Sequence, residues 1–311
     1  FYSCALHPVN NYYLGGTQDN GSHSLVATTG IGGSIEVHGG DGGYTHIDED
    51  EPQFQFSATT RSSYRRSTNS GVNWSSVTFS TTVGQFINPT EYDDINNRMY
   101  CSGNAGTYVR WDNPQNGSTF NTVTISGVTP NSIRSFKVSP FTSNRVFMGT
   151  AGGAVIRVDD AHLNTPNAVN ITDVAMPQTN GNVVSCVNTG TSDNFLIATY
   201  SNYGLPHVWV STNGGTSWSN VNGNLPDVPV RWAMFYPENN NKAIIATEMG
   251  IFETDQLNGS STNWVQNSTF PNVKTNMLQY RISDGTILAA THGRGFWTTQ
   301  APAAAPFVRF G

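Results

Sequence analysis

Three acidic residues near glycines or small residues could carry acid–base chemistry. They are Asp19, which follows Gly15-Gly16-Thr17, Asp41 in a glycine-rich stretch, and Glu248, which follows Ala246-Thr247. A glycosidase uses two carboxyl groups about 5–5.5 Å apart for retention of configuration, or about 6.5–9.5 Å apart for inversion. The three acids could supply such a pair, although no motif fixes which two. The alternatives are turn capping for Asp19 and Asp41 and a solvated loop position for Glu248.

A second group of side chains is suited to recognising a ligand rather than transforming it. Mixed charge together with aromatic rings fits a carbohydrate-binding or peptide-binding patch. The predicted ligand-binding residues are Arg61, Arg231, Trp232, His292 and Arg294. Hydrogen bonding between neighbouring structural units is the alternative role for His292 and Arg294.

Metal binding has little support in the residue pattern. Cys4, Cys101 and Cys186 lie in apolar, strand-like stretches without a Cys-x-x-Cys or Cys/His cluster, so we predict buried free thiols and no zinc site. The alternative is one disulfide with a leftover thiol, which no cysteine spacing supports. The acidic segment 46–51 has enough carboxylates for calcium but lacks the ligand spacing of an EF-hand loop. A solvated turn is the favoured interpretation, so we predict no metal ligand and no cofactor, with calcium as the alternative.

These candidates recur at one place in an internal repeat. An apolar strand ending in small residues, then a short polar turn and another strand, occurs seven times. From Thr17 to Thr291 there are 274 residues in six intervals, or about 46 residues each. That period lies within the range of about 40–50 residues typical of propeller blades. The seven strand ends are residues 14–17, 56–59, 100–103, 147–150, 196–199, 244–247 and 288–291.

The repeat predicts an all-β fold, a β-propeller of seven blades with four antiparallel strands each. We expect the propeller to span residues 1–299, with 300–311 as an Ala/Pro-rich linker or tail, and the first and last blades one strand short. In this register, the loops between second and third strands and the links between blades share one face. All of the candidate catalytic and ligand-binding residues except Trp232 would then surround one mouth of the central channel.

Two blades carry nearly the same octet between their third and fourth strands. The residues concerned are Ser67, Asn69, Gly71 and Trp74 in one octet, and Ser211, Asn213, Gly215 and Trp218 in the other. The pattern resembles the Asp-box (bacterial neuraminidase repeat), Ser-x-Asp-x-Gly-x-x-Trp, with Asn in place of Asp. The expected role is structural: Asn caps the turn, Gly permits a positive φ, and Trp fills the gap between strands or blades.

Three further segments extend the resemblance over essentially the whole chain. Residues 15–22, 39–48 and 289–297 look like parts of sortilin-type and Asp-box propellers in large secreted proteins of Bacteroidetes-like bacteria. Such proteins often end in a type IX secretion sorting domain, which is not visible here. The resemblance implies an extracellular or cell-surface bacterial protein, with further domains in a larger secreted chain.

The resemblance leaves two functional hypotheses open. Asp-box propellers include sialidases and xyloglucan-cleaving hydrolases, but the Arg-Ile-Pro start motif of sialidases is absent, since Tyr280-Arg281-Ile282 lacks the proline and lies at the wrong end. Nothing resembles a nucleophile elbow or a zinc helix. We therefore favour a binding, adhesion or assembly scaffold for a glycan or a surface protein. The alternative is a xyloglucanase-like glycoside hydrolase with paired carboxylates at the channel mouth.

Composition excludes two other classes of protein. The chain has 311 residues, 15 basic against 21 acidic, and a net charge of −6. Without a basic cluster, nucleic acid is not expected as the main partner. No apolar run reaches about 18 residues, so no membrane-spanning helix is predicted.

Overall fold

The seven repeats form seven antiparallel sheets in the computed structural model, which describes residues 1–26, 33–127, 131–237 and 239–301. Within each sheet the strands follow chain order, and the sheets together make a seven-blade β-propeller. This architecture confirms the predicted fold. Within these ranges six blades have four strands and blade 7 has three, so the prediction of one missing strand is wrong for the first blade, which is complete.

Each blade is one stretch of chain. Blades 1 and 2 contain β1 (Ala5–Leu6), β2 (Tyr12–Gly16), β3 (Ser22–Val26), β4 (Ser34–His38), β5 (Thr45–Ile47), β6 (Gln55–Ala58), β7 (Ser62–Ser67) and β8 (Ser75–Ser80). Blades 3 and 4 contain β9 (Thr90–Asp93), β10 (Arg98–Ser102), β11 (Thr107–Asp112), β12 (Thr119–Thr124), β13 (Ile133–Val138), β14 (Val146–Thr150), β15 (Val155–Asp159) and β16 (Asn167–Asn170).

The remaining three blades complete the ring. Blades 5 and 6 contain β17 (Val184–Thr189), β18 (Leu196–Tyr200), β19 (Val208–Ser211), β20 (Ser219–Asn220), β21 (Val230–Tyr236), β22 (Asn239–Thr247), β23 (Gly250–Thr254) and β24 (Val265–Gln266). Blade 7 contains β25 (Thr275–Tyr280), β26 (Thr286–Thr291) and β27 (Phe296–Gln300). A short 3-10 turn covers Gly259–Ser261. Within the described ranges, no helix is long and apolar enough to cross a membrane.

The second strand of each blade is the apolar strand that defines the repeat. Every residue of β14, β18 and β26 is buried, because neighbouring blades cover both faces of each sheet. Outer strands such as β16 and β27 are largely exposed. The core therefore lies between blades, which explains why apolar strands ending in small residues recur at the blade period.

The first strand of each blade is called its inner strand. The inner strands of blades 4, 5 and 6 are joined by serine hydroxyls. The Ser135 hydroxyl donates to the Val184 carbonyl at 3.2 Å, and the Ser185 hydroxyl donates to the Val230 carbonyl at 2.6 Å. Each bond links the inner strand of one blade to that of the next. These bonds satisfy buried polar groups between the apolar faces and help fix the rotation from blade to blade.

The antiparallel order assigns every loop to one of two faces. Turns between second and third strands and links between blades lie at one end of the ring, which we call the loop face. Turns between first and second strands and between third and fourth strands lie at the other end, which we call the turn face. This division places residues 48–51 of the acidic segment, which follow β5, on the turn face.

The cysteines and the C-terminal tail were also the subject of predictions. Cys4, Cys101 and Cys186 are free and buried, as expected, and burial raises the pKa of the Cys101 and Cys186 thiols to about 12. Strand β27 ends at Gln300, and residues 302–311 of the predicted tail lie outside the described residues.

Candidate functional site

The predicted site residues lie on the loop face but do not form one contiguous group. Those in turns between second and third strands are Asp19, Arg61, Glu248, His292 and Arg294. Asp41 lies in the link from blade 1 to blade 2, while Arg231 and Trp232 lie near the start of β21. Their contacts divide them among the junction of blades 7 and 1, blade 2, and blade 6.

Asp19 and Asp41 are brought together in blade 1. The main-chain N–H of Asp19 donates to Oδ1 of Asp41 at 3.0 Å. Asp19 has a φ of 58°, a left-handed conformation that aspartate adopts more readily than most residues. Burial raises the pKa of the nearby Tyr2 hydroxyl, and the charges of Asp41 and Asp19 raise it further. Asp41 thus caps a turn, and Tyr2 presents a neutral hydroxyl beside the two acids.

A cavity of about 340 Å³, which we call the seam pocket, opens where blades 7 and 1 meet. Its lining residues are Phe1, Tyr2, Thr17, Gln18, Asn20, His292, Gly293 and Gly295. The main-chain nitrogen of Phe1 donates to the Thr291 carbonyl at 2.7 Å, and the Phe1 ring lies 4.0 Å from that of Phe296 between centroids. The Tyr2 hydroxyl donates to Oε1 of Gln18. Phenol, amide and imidazole groups thus line one cavity together with the Phe1 ring.

Glu248 is neutralised by two cations. Arg231 donates through both Nε, at 2.8 Å, and Nη2 to Oε1 of Glu248, and Lys274 Nζ lies 3.6 Å from the same oxygen. Arg231 begins blade 6 and Lys274 precedes the first strand of blade 7, so the cluster ties these blades together. No bond joins it to the acids of blade 1 among the described residues.

Arg61 and Trp232 have mainly structural contacts. Arg61 has a φ of 54°, its main-chain N–H donates to the carbonyls of Gln85 and Phe86, and its Nη1 donates to the Gly84 carbonyl at 3.1 Å. It therefore holds the link between blades 2 and 3. Trp232 is 9% exposed and packs in the apolar core of blades 6 and 7.

Four inner strands share an irregularity that sequence reasoning missed. The pairing register shifts near the start of β13, β17, β21 and β25. The residues passed over by these shifts are Arg134, Ser185, Arg231 and Asn276. Bulges commonly re-aim side chains near functional sites. A β-branched residue before each position is the shared sequence signal, and it is too common in strands to be diagnostic.

Two of these bulge residues make contacts on the loop face. Arg134 donates through Nη1 to Oε1 of Gln85, and burial lowers the pKa of Arg134. Asn276 donates through Nδ2 to the Phe1 carbonyl at 2.8 Å. The bulges at Arg134 and Asn276 therefore direct side chains that hold the link after blade 2 and the junction of blades 7 and 1.

The inner strands also hold an ion pair that no motif indicated. Lys137 Nζ on β13 lies 3.6 Å from Oε1 of Glu91 on β9. Burial raises the pKa of Glu91, and the Lys137 charge opposes that rise. Burial also lowers the pKa of His46 on β5 to about 4, so this histidine is neutral near pH 7. Glu91, Lys137 and His46 lie on the first strands of their blades, whereas the candidate residues were sought in the loops of the loop face.

The two octets adopt the same turn. In the first, the N–H of Gly71 donates to the Ser67 hydroxyl at 2.9 Å, and the N–H of Asn73 donates to Oδ1 of Asn69 at 2.9 Å. In the second, Gly215 donates to Ser211 and Ser217 donates to Asn213, each at 2.9 Å. Gly71 and Gly215 have φ values of 80° and 86°. The asparagines cap the turns and the glycines supply positive φ, as expected.

The tryptophans show how such turns join blades. The Trp218 indole donates to the Ile171 carbonyl of the preceding blade at 2.7 Å, whereas the Trp74 indole donates to Gly71 within its own turn at 3.0 Å. Trp264, at the equivalent place in blade 6, donates to the Val221 carbonyl at 2.8 Å. Sequence reasoning missed Trp264 because the residues before it depart from the octet pattern.

The acidic segment is only partly a solvated turn. Asp48 is 1% exposed, and its Oδ2 accepts from the Tyr92 hydroxyl at 2.7 Å and the Gln115 amide at 2.9 Å. The Gln115 amide also donates to Oε2 of Glu51 at 3.3 Å. Within the described ranges, no group of three or more His, Cys, Asp or Glu residues is placed to hold a metal ion.

Comparisons with known proteins do not add a family to this description. No protein-family model matches this chain, and a search of the curated proteins finds no match. A functional assignment therefore rests on the fold and on the geometry of the loop face.

Proposed function

We propose that this propeller is a binding module that recognises a glycan or protein ligand on its loop face, at the seam pocket. The observation that carries the proposal is the convergence of Tyr2, Gln18, Asn20 and His292 on one cavity. Gln18 and Asn20 come from the turn after β2, Tyr2 comes from the segment before β1, and His292 comes from the turn after β26. Hydrogen-bonding groups beside aromatic rings match the chemistry of sugar and peptide recognition.

Binding is preferred to hydrolysis because the predicted acids are engaged elsewhere. Glu248 is paired with Arg231 and Lys274, and Asp41 caps the turn at Asp19. A glycoside hydrolase remains the second candidate for one reason. The Asp19 N–H contacts the Asp41 carboxylate, and the charges of both residues act on Tyr2, which lines the seam pocket, so the two carboxyl groups are the nearest candidates to act on a glycosidic bond there.

The octet turns support a proposal about family and location. Their shared hydrogen bonds are those expected of Asp-box turns with Asn in place of Asp, so we assign the chain to Asp-box, sortilin-like propellers as a hypothesis. In keeping with that resemblance, we propose that the protein acts outside a bacterial cell or on its surface, as part of a type IX secretion-associated chain. Detecting the native protein in surface and culture fractions tests the location.

A glycan-array screen of the purified propeller, with mass spectrometry of any bound glycan, tests the function. We expect binding without cleavage, and an increase in Kd of at least tenfold in Gln18→Ala and His292→Ala. Gln256→Ala, an exposed glutamine on the turn face of blade 6, is the matched control and should retain wild-type affinity.

The same experiment distinguishes the alternatives. Cleavage products that disappear in Asp19→Asn or Asp41→Asn would establish a hydrolase. Binding that survives both seam-pocket substitutions would place the ligand elsewhere. If no glycan binds, a pull-down from native surface extracts with wild-type and Gln18→Ala protein tests for a protein ligand at the same pocket.

A further inference from the structure

A second and larger cavity lies at the outer edge of blade 5, where it meets blade 6. We call it the rim pocket, and its volume is about 480 Å³. It is lined by Gly204, Leu205, Pro206, His207, Asn220, Asn222, Gly223, Leu225, Asp227 and Ser260. Its walls come from the turn after β18, from β20 and the link that follows, and from the 3-10 turn of blade 6. It shares no lining residue with the seam pocket.

A buried histidine forms the base of the rim pocket. The His207 side chain is 1% exposed, and its ring Nε2 lies 3.1 Å from Oδ1 of Asp227. The main-chain N–H of His207 donates to Oδ1 of Asn222 at 2.7 Å. Burial lowers the pKa of His207 more than Asp227 raises it, so the ring is neutral near pH 7. Because a carboxylate only accepts hydrogen bonds, the neutral ring carries its proton on Nε2.

Asp227 is held in place but open to solvent. Its side chain is 59% exposed, and its Oδ1 accepts from both His207 and the Gly204 N–H, the latter at 2.8 Å. No described residue donates a hydrogen bond to Oδ2. A carboxylate oriented by two protein donors, with its second oxygen free, is pre-organised to accept a hydrogen bond from a ligand.

Two amides complement this acceptor. Asn220 and Asn222 use their side-chain oxygens internally: Oδ1 of Asn220 accepts from the Asn222 N–H at 2.8 Å, and Oδ1 of Asn222 accepts from His207. Their Nδ2 groups have no acceptor among the described residues. The rim pocket therefore presents one free acceptor and two free donors, beside the apolar side chains of Leu205 and Pro206.

We propose that the rim pocket binds a neutral sugar unit of a glycan, with Asp227 accepting from a sugar hydroxyl and the Asn220 and Asn222 amides donating to neighbouring oxygens. Hydroxyl groups both donate and accept, so they match this mixed set. The apolar wall suits the C–H face of a pyranose. No lining residue is a lysine or arginine, so an acidic sugar finds no counter-charge.

An NMR titration of the 15N-labelled full chain tests this proposal. The ligands are the neutral methyl glycosides of glucose, galactose, mannose and xylose. The reporters are the Gly204 amide and the side-chain amides of Asn220 and Asn222. We expect at least one glycoside to shift them, and Asp227→Ala to raise its Kd at least tenfold. Asp255→Ala, which removes a 91% exposed carboxylate from the turn face of blade 6, should change Kd less than twofold.

Each other outcome overturns the proposal. One is that no glycoside shifts the Gly204 signal, and another is that Asp227→Ala binds as tightly as the wild type. A third is that propylammonium, included as a cationic probe, shifts the reporters while the glycosides do not. Glycoside shifts confined to Gly293 and Gly295 would support the seam pocket alone, so failure at one pocket is distinguishable from failure at the other. Unchanged signals elsewhere confirm that the variants fold.

Discussion

The joints between consecutive blades differ from the joint that closes the ring. Between blades 4, 5 and 6, inner-strand serines and turn tryptophans donate to main-chain carbonyls of the adjacent blade. Between blades 7 and 1, the guanidinium of Arg281 donates to the carbonyls of His7 at 3.0 Å and Asn10 at 2.6 Å, and to Oδ1 of Asn11 at 3.1 Å. One charged residue thus spans the closing joint on the turn face.

The difference shows two ways to satisfy polar groups between apolar sheets. The joint between blades 5 and 6 distributes its side-chain hydrogen bonds among neutral donors, including Ser185, Asn188 and Trp264. The closing joint, where the last blade has three described strands, instead includes one charged donor that bonds three acceptors of blade 1: Arg281, which is 4% exposed and paired with Asp284 at 2.7 Å. Removing Arg281 should therefore damage the closing joint more than removing any one of the neutral donors damages the joint between blades 5 and 6.

The largest effect is expected for Arg281→Ala. Removing the guanidinium leaves two carbonyls and a carboxylate without their donor, so we expect a loss of about 3 kcal/mol in the free energy of unfolding. Urea denaturation, monitored by tryptophan fluorescence, measures this loss of stability. Lys242→Ala removes a cation from an exposed ion pair with Asp255 and should cost less than about 0.5 kcal/mol. Equal losses in the two variants would contradict the special role of the closing joint.

Trp218→Phe should have an intermediate effect at an ordinary joint. Phenylalanine keeps most of the apolar contact but leaves the Ile171 carbonyl without its indole donor, so we expect a loss of about 1–2 kcal/mol. Trp297→Phe is the matched control, because that indole is 41% exposed and donates to the Arg294 carbonyl within its own turn. Thermal denaturation of both variants should lower the Tm for Trp218→Phe alone.

Each octet turn should contribute less than a joint. Asn69→Ala and Asn213→Ala each remove one side-chain cap, at an expected cost of about 1 kcal/mol. The two turns lie in separate blades without shared partners, so the double variant should lose the sum of the two. Thr68→Ala and Thr212→Ala, exposed neighbours in the same turns, should be nearly neutral in the same urea titration.

A pH-dependent effect concerns the joint between blades 2 and 3. Burial raises the pKa of Asp94 to about 7, and the charges of Glu49, Asp48 and Asp50 add to this rise. An unfolded aspartate has a pKa near 3.9, so the folded state binds the proton more tightly. Stability from this group is therefore present below about pH 4 and is lost as the pH rises towards 7.

Asp94→Asn cannot ionise and tests that pH dependence. Its amide oxygen can still accept the Glu49 N–H, which donates to Oδ1 of Asp94 at 2.5 Å in the wild type. We expect the variant to raise the Tm by several degrees at pH 8 and to leave it nearly unchanged at pH 4. Calorimetry at both values measures the effect, and a Tm difference that is the same at both would exclude titration of Asp94 as its cause.

The strand pattern could be read from the sequence because packing in a propeller repeats. All seven predicted strand ends lie at the second strands of the seven blades, where burial from both sides demands apolar and small residues. The octet turns were also predictable, since asparagine caps and positive-φ glycines act locally. Trp264 shows the limit of this reasoning. Its indole donates to the preceding blade as that of Trp218 does, although the residues before Trp264 depart from the octet pattern.

The site was harder to predict because its contacts join distant parts of the chain. Glu248 was a candidate acid by its position, and nothing local indicated that Arg231 and Lys274 would both reach it. Arg281 was considered only within a motif that it fails to complete, yet it spans the closing joint. The rim pocket depends on His207 and Asp227, which are 20 residues apart and belong to no recognisable motif.

The seam pocket draws its lining from both ends of the described chain. Phe1, Tyr2, Gln18 and Asn20 come from blade 1, whereas His292, Gly293 and Gly295 come from blade 7. Any molecule bound there acts as a removable cross-link between the first and last repeats. At a concentration one hundred times its Kd, such a ligand would add about 2.7 kcal/mol to the free energy of unfolding, comparable to the expected contribution of Arg281. Occupancy would thus set how firmly the ring resists opening under mechanical load.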